Sequence, residues 1–180
     1  QGAEAIVITA SGCGVTVKDY GHLLARDPAY AEKAKRVSEL AKDISEIISA
    51  EWHQLREAGG GRREAKKQRI AFHSPCSLQH GLKLSGQIES VLTESGFELV
   101  PVPDSHLCCG SAGTYSILQP ELSQRLLANK IAALASGEPT AIFTANIGCQ
   151  AHLQTATPVP VRHWIEALDE RLSQIPSQPN

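Results

Sequence analysis

The chain runs to 180 residues without a single methionine and opens on Gln1, which reads as a fragment of something longer. It has no apolar run approaching the roughly 18 residues of a membrane span, so none is expected. It has no charge excess either. Seventeen Lys and Arg against 19 Asp and Glu leave a formal net charge of −2, which gives no reason to expect nucleic acid or an anionic membrane as a partner. The chain opens directly on a strand-like run, so no signal peptide is expected. Gly-x-Ser-x-Gly, His-Glu-x-x-His and Walker motifs are missing, which leaves hydrolase chemistry unsupported. A glycine-rich dinucleotide fingerprint is missing too, and a flavin or nicotinamide would have to sit on a partner.

What remains is an ordinary globular composition, 42% hydrophobic and 20% charged, long enough for one full domain or one domain plus part of another. The informative residues are five cysteines, Cys13, Cys76, Cys108, Cys109 and Cys149. An odd, clustered set argues against a secreted disulfide framework and for reduced thiols in a cytosolic setting. Adjacent cysteines rarely bridge each other, because disulfide geometry wants the alpha carbons well apart. The vicinal pair with distant flanking thiols is read as part of a metal or cluster site. The alternative is that all five are inert, since a free cysteine packs as a small hydrophobe.

Along the chain, Ala5–Thr9 is a β-branched apolar run, expected as a strand buried on both faces. Ala10–Gly14 follows as a glycine-bracketed turn that puts Cys13 at the strand's carboxyl end. Val17–Leu24 suits a short helix or a loop. Asp27-Pro28 reads as a helix start. From there to about Ala58, Ala31, Ala34, Val37, Leu40, Ala41, Ile44, Ile47, Ile48 and Trp52 recur at helical spacing, one long amphipathic helix with at most one break. Gly59-Gly60-Gly61 stops it, and residues 59–68, with a basic run from Arg62 to Arg69, read as a linker between two units.

The second unit, residues 69–175, opens on the strand Arg69–His73, which delivers Cys76. A helix with Leu84, Ile88, Val91 and Leu92 buried ends at Gly96. A strand from Phe97 to Val102 leads through Pro103-Asp104 to Cys108-Cys109-Gly110. Pro120 opens a helix whose expected buried face is Leu122, Leu126, Leu127, Ile131 and Leu134, closed by Gly137. Thr140–Thr144 is the next strand, leading to Cys149. Pro158–Val161 is a short last strand, His163–Leu172 a last helix, and residues 176–180 a tail.

Alternating strands and helices predict an α/β fold with a mainly parallel sheet flanked by helices. Right-handed crossovers bring all strand ends to one edge, so Cys76, Cys108, Cys109 and Cys149 should converge there. There is also an internal repeat. Ala5–Cys13 aligns without gaps on Ala141–Cys149, with four of nine positions identical. The reading is of duplicated units, the first (residues 1–58) present only in its carboxyl-terminal part.

The spacing of Cys76, Cys108-Cys109-Gly110 and Cys149 resembles the cysteine-rich CCG domain of heterodisulfide reductases and related iron–sulfur proteins. The residues His73-Ser74-Pro75-Cys76, Cys108–Tyr115, Thr144–Gln150 and Val161–Glu166 are similar to the glycolate oxidase iron–sulfur subunit family, as is Ser11–Thr16 to the end of that family's first repeat. The resemblance implies an electron-transfer part of a glycolate (2-hydroxy acid) oxidase or dehydrogenase complex. It would pass electrons from flavin-containing subunits to an acceptor. The complex would be cytoplasmic or peripheral at the inner face of the plasma membrane. The family's amino-terminal ferredoxin-like region, with its two Cys-x-x-Cys-x-x-Cys motifs, is not in this sequence.

The pattern also departs from the family. Its last element is Cys-x-x-Cys, but His152 stands three residues after Cys149, and Thr16 three after Cys13. A five-thiolate cluster is therefore excluded on this chain. Cys76, Cys108, Cys109, Cys149 and His152 remain, enough for a [4Fe–4S] cluster or a tetrahedral zinc site. Cys13 is left alone in the first unit, where it is the candidate metal ligand of the first repeat. Gly110 and Gly148 either let backbone N–H groups reach cluster sulfurs or simply make turns. His152 is a ligand or supports one; His73, His80 and His106 read as packing partners. Three functions stay open: an iron–sulfur electron carrier, a zinc-bound docking module, and a thiol–disulfide catalyst. The last is disfavoured because redox dithiols normally occur as Cys-x-x-Cys at a helix start.

Overall fold

The computed structural model describes residues 2–58 and 67–173. The glycine stop, the tail, and the linker apart from Lys67 and Gln68 lie outside the described residues. Among the described residues, β1 (Ile6–Ile8) and β2 (Ala41–Asp43) pair in parallel as a small sheet. The larger sheet holds β3 (Gln68–His73), β4 (Phe97–Leu99), β5 (Ala141–Thr144) and β6 (Val161–His163) in the order β4-β3-β5-β6, again all parallel. The helices are α1 (Ser11–Lys18), α2 (Tyr20–Leu23), α3 (Ala31–Leu40), α4 (Ile44–Ala58), α5 (Gln87–Glu94), α6 (Tyr115–Leu118), α7 (Pro120–Ala135), α8 (Ile147–Gln154) and α9 (Trp164–Ser173). A single π turn, Ser77–Gly81, follows β3. The fold is α/β with parallel strands flanked by helices, as the alternation of elements predicts.

The two central strands show how the sheet sorts its side chains. Successive strand residues face opposite sides. The register pairs Ile70 with Ala141, Ala71 with Ile142, Phe72 with Phe143 and His73 with Thr144. Ile70, Phe72 and Phe143 join a core with Ile88, Leu92, Phe97 and Trp164. Phe97 meets Phe143 edge to face at 5.3 Å. Ala71 and Ile142 join the opposite core with Leu127, Leu134, Leu153, Cys109 and Cys149. By alternation His73 and Thr144 belong to this second face. The thiols are thus part of the packed core on one side of the sheet.

Trp52 is buried in the first of these cores, with Ile44, Ile48 and Leu55 packed against it, and its Nε1 donates to Glu94 Oε2 at 2.9 Å. The helix α4 therefore covers a face of the larger sheet. The loops after the strands bring the two sheets together end to end. Ser11 N donates to the Ala145 carbonyl at 3.3 Å, and His163 Nε2 donates to the Thr9 carbonyl at 2.8 Å. The Ser11 and Ser77 hydroxyls are bonded at 2.8 Å.

Several local expectations are corrected. The run Ala10–Gly14 is not a turn, since α1 begins at Ser11 and carries Cys13 in its first turn. The repeat survives this change: Gly148-Cys149 holds the same place in α8 as Gly12-Cys13 in α1. β1 is not buried on both faces. Ile6 is 37% and Val7 48% exposed, in a sheet that holds two strands among the described residues. The long helix is interrupted by β2. Asp43 caps α4 by accepting from Ser45 N at 2.9 Å, while Glu46 Oε2 accepts from Asp43 N at 2.9 Å. This is a reciprocal capping box, and Asp43-x-x-Glu46 was its signal in the sequence. Leu122 is exposed on α7, whose buried positions are Ser123, Leu127, Lys130 and Leu134. The last strand is Val161–His163 and not Pro158–Val161, since prolines at 158 and 160 lack the N–H a ladder needs.

Candidate metal centre

Cys76, Cys108, Cys109 and Cys149 are delivered by short devices at the carboxyl edge of the larger sheet. β3 ends at His73, and Ser74-Pro75 turns the chain so that Cys76 caps the π turn. The Pro75 carbonyl accepts from Leu78 N and Gln79 N, both at 3.0 Å. Gln79 Nε2 donates to the Ser74 carbonyl at 2.7 Å and the Ser105 carbonyl at 3.2 Å, which ties this turn to the loop before Cys108. The same loop is held from α7. Lys130, 2% exposed, donates from Nζ to the carbonyls of Asp104 and Ser105 at 3.0 and 3.3 Å. Cys149 sits in the first turn of α8, whose cap is Asn146. Its Oδ1 accepts from Gly148 N at 2.9 Å and Cys149 N at 3.3 Å.

All five cysteines are free, and four of them converge. Cys76, Cys108, Cys109 and Cys149 lie close enough for each to shift the titration of its neighbours. Cys109 is 1% exposed and Cys149 7%. Packed so closely, the four thiols do not ionise alike. Cys108 is pulled far below the usual thiol range by hydrogen bonds from Cys109 and Cys76 and by the Gly110 N–H, against the cost of burial. Cys149 is lowered to about 5 by its bond from Cys109, burial opposing, with the His73 imidazole beside it helping. Cys76 and Cys109 are pushed up by holding the protons that serve those neighbours and by burial. Four thiols that differ so strongly in acidity within one small volume make a ready receptor for a soft cation.

Gly110 makes the vicinal pair possible. Its φ is +91°, and a Cβ there would collide with the Ser123 carbonyl of α7. Its N–H donates to Cys108 Sγ at 3.3 Å. Gly148 differs. Its N–H is taken by the Asn146 cap, and a Cβ would press on Asn146 Oδ1 and Ser111 Oγ at 3.2 Å.

The histidines separate clearly. His152 Nε2 lies 3.3 Å from Ser123 Oγ, whose hydroxyl donates to the Gly110 carbonyl at 2.9 Å, so His152 braces the loop after the vicinal pair. His80 and His106 are exposed; His80 Nε2 donates weakly to the His106 carbonyl at 3.4 Å. His73 is 2% exposed, and neither ring nitrogen has a hydrogen-bond partner. Its ring shares a space with Cys109 and Cys149, with one donor atom from each residue within 4.8 Å of the others. Cys13 is exposed on α1.

Sequence reasoning underweighted His73 and passed over Lys130, Ser123 and Asn146. For His73 the signal was its place as the last residue of β3, facing the same side as Ala71, three residues before Cys76. Asn146 before a helix start was also legible as a cap. Nothing local marks Lys130 or Ser123, whose partners lie far away in sequence. The donor set, four thiols and an imidazole with no other partner, fits an iron–sulfur cluster and also a single soft ion.

Comparison with known proteins places these residues in context. Residues 70–154 match the family described as CCG, cysteine-rich domain. The chain is 51% identical over 173 residues to the glycolate oxidase iron-sulfur subunit of Escherichia coli (strain K12), covering 96% of this chain and 41% of that protein. It is 32% identical over 148 residues to the probable glycolate oxidase iron-sulfur subunit of Bacillus subtilis (strain 168), covering 81% of this chain and 32% of that protein. The lactate utilization protein A of Anoxybacillus flavithermus is 29% identical over 178 residues, covering 94% of this chain and 71% of that protein. The chain thus spans less than half the length of the first two relatives.

Proposed function

We propose, on the premise that residues 70–154 belong to the CCG cysteine-rich family, that this chain is the cysteine-rich part of an iron–sulfur electron-transfer subunit. It serves a 2-hydroxy-acid oxidase or dehydrogenase complex, with glycolate as the substrate. The observation that carries the reading is the convergence of four free thiols at one sheet edge, with the buried His73 imidazole beside two of them. The names of the E. coli and B. subtilis relatives support the choice of complex.

On this reading Cys76, Cys108, Cys109 and Cys149 hold a [4Fe–4S] cluster, which when bound stores and releases single electrons. The chain's own residues set the conditions. The burial of Cys109 and Cys149 keeps water from that side of the centre and strengthens every charge interaction there. The Gly110 N–H bonds Cys108 Sγ, and the buried Lys130 brings a cation near the thiolates. His152 and Ser123 fix the loop that presents Gly110. The oxidation itself falls to flavin-containing partner subunits on the cytoplasmic side. No described helix is long and apolar enough to cross a membrane.

The test is metal and sulfide analysis, with absorption and EPR spectra, on protein purified without oxygen. Iron and sulfide at about four each per chain are expected. About one zinc per chain with no visible band would sink the electron-transfer reading and leave a structural zinc module.

A further inference from the structure

The centre has an imidazole in it that the cysteine motifs do not announce. His73 is held by the parallel ladder of β3 and β5, paired with Thr144, so its backbone cannot turn the ring elsewhere. Strand alternation directs it to the face that carries Cys109 and Cys149. Only 2% of its surface is exposed, and both ring nitrogens are without hydrogen-bond partners. A buried imidazole with two unsatisfied nitrogens is costly, and native interiors seldom leave one without a reason. The polar atoms that share its space are the Cys109 and Cys149 sulfurs, all three donor atoms lying within 4.8 Å of one another.

We propose that His73, and not His152, is the imidazole of the metal centre, its ring nitrogen ligating metal beside Cys109 and Cys149. The inference rests on the reading of the centre as a metal site, but not on which metal it takes. Around a single tetrahedral ion, bond lengths of about 2.0–2.3 Å to nitrogen and sulfur put ligand atoms about 3.5–3.8 Å apart, so donor atoms already within 4.8 Å of one another close by at most about 1 Å. That is within the reach of two thiols and one ring turning about their side-chain bonds. His152 is employed otherwise. Its Nε2 is engaged by Ser123, and Ser123 by Gly110, so moving it into the centre would release the loop after the vicinal pair. Cys76 and Cys108, which shift each other's titration, form the other arm of the donor set.

The experiment labels the histidines with nitrogen-15. The chain is loaded anaerobically with iron and sulfide, reduced, and examined by pulsed EPR for nitrogen coupling, beside His152→Ala and His73→Gln. Expected is a strong coupling of a directly bound ring nitrogen that responds to the label, survives in His152→Ala and is lost in His73→Gln. A wild-type centre with only weak, hydrogen-bond-sized coupling overturns the proposal, as does a coupling lost in His152→Ala or kept in His73→Gln. The wild-type and His152→Ala measurements decide the matter even if His73→Gln does not fold. If no iron and sulfide are taken up, the iron–sulfur reading falls and the same coupling is sought on bound cobalt(II). Failure to bind either metal overturns both.

Discussion

Replacing Gly110 by alanine places a methyl group where α7 leaves no room. The residue has a φ of +91°, and its added Cβ would run into the Ser123 carbonyl and approach Leu126 Cβ at 3.2 Å. Two costs add. Holding an L-residue in the left-handed region costs about 1–2 kcal/mol, and overpacking against backbone that cannot swing aside costs about 1–3 kcal/mol. A total of about 3 kcal/mol, at roughly 3 °C per kcal/mol for a chain of this size, lowers the melting temperature by about 9 °C. Gly113 is the internal comparison. Its φ is +57°, yet nothing lies within 4 Å of its Cβ position, so Gly113→Ala carries only the conformational cost of about 1 kcal/mol, near 3 °C. Thermal unfolding followed by circular dichroism measures both, and iron uptake reports on the centre. Gly110→Ala should lose stability and uptake together. Equal melting temperatures for the two variants would refute the claim that close approach, beyond backbone conformation, requires glycine at 110.

Four further outcomes are expected. Cys109→Ser should abolish the cluster spectrum with helical content largely kept; a surviving signal would remove Cys109 from the ligand set. Lys130 donates to two backbone carbonyls, and its pKa is lowered by burial, with Cys109, Cys108 and Asp104 opposing. Lys130→Met should make the centre's reduction potential more negative, since losing a nearby cation disfavours the added electron; redox titration checks it. His163 has its pKa lowered from 6.5 by burial, against the Thr9 carbonyl, Glu166 and Asp43, so it folds neutral. The unfolded chain then binds more protons, and stability present above pH 6.5 should fall as pH drops below it, less so in His163→Gln. Trp52→Ala should cost about 3–5 kcal/mol by denaturant unfolding, because α4 shares a core with the larger sheet.

The residues determined by themselves a good deal of this protein. Apolar strands alternating with amphipathic helices specified a parallel α/β fold, because buried parallel strands need helical crossovers on their faces. The cysteine spacing singled out Cys76, Cys108, Cys109 and Cys149 before any coordinates, since strands that all run one way must end on one edge. Periodicity was less discriminating in residues 31–58. Ala34, Val37, Leu40, Ala41 and Ile44 keep helical spacing straight through β2, and only the cap formed by Asp43 and Glu46 betrays the break. Tertiary structure alone decided the rest. It turned Cys13 outward on a helix, and drew Lys130 and Ser123 from α7 into the support of the vicinal pair. The clearest case is the choice of imidazole. His152 had the better spacing from Cys149, but spacing says nothing about which side chain another element will occupy. The register of β3 on β5 put His73 beside the thiols with no other partner, while Ser123 took His152.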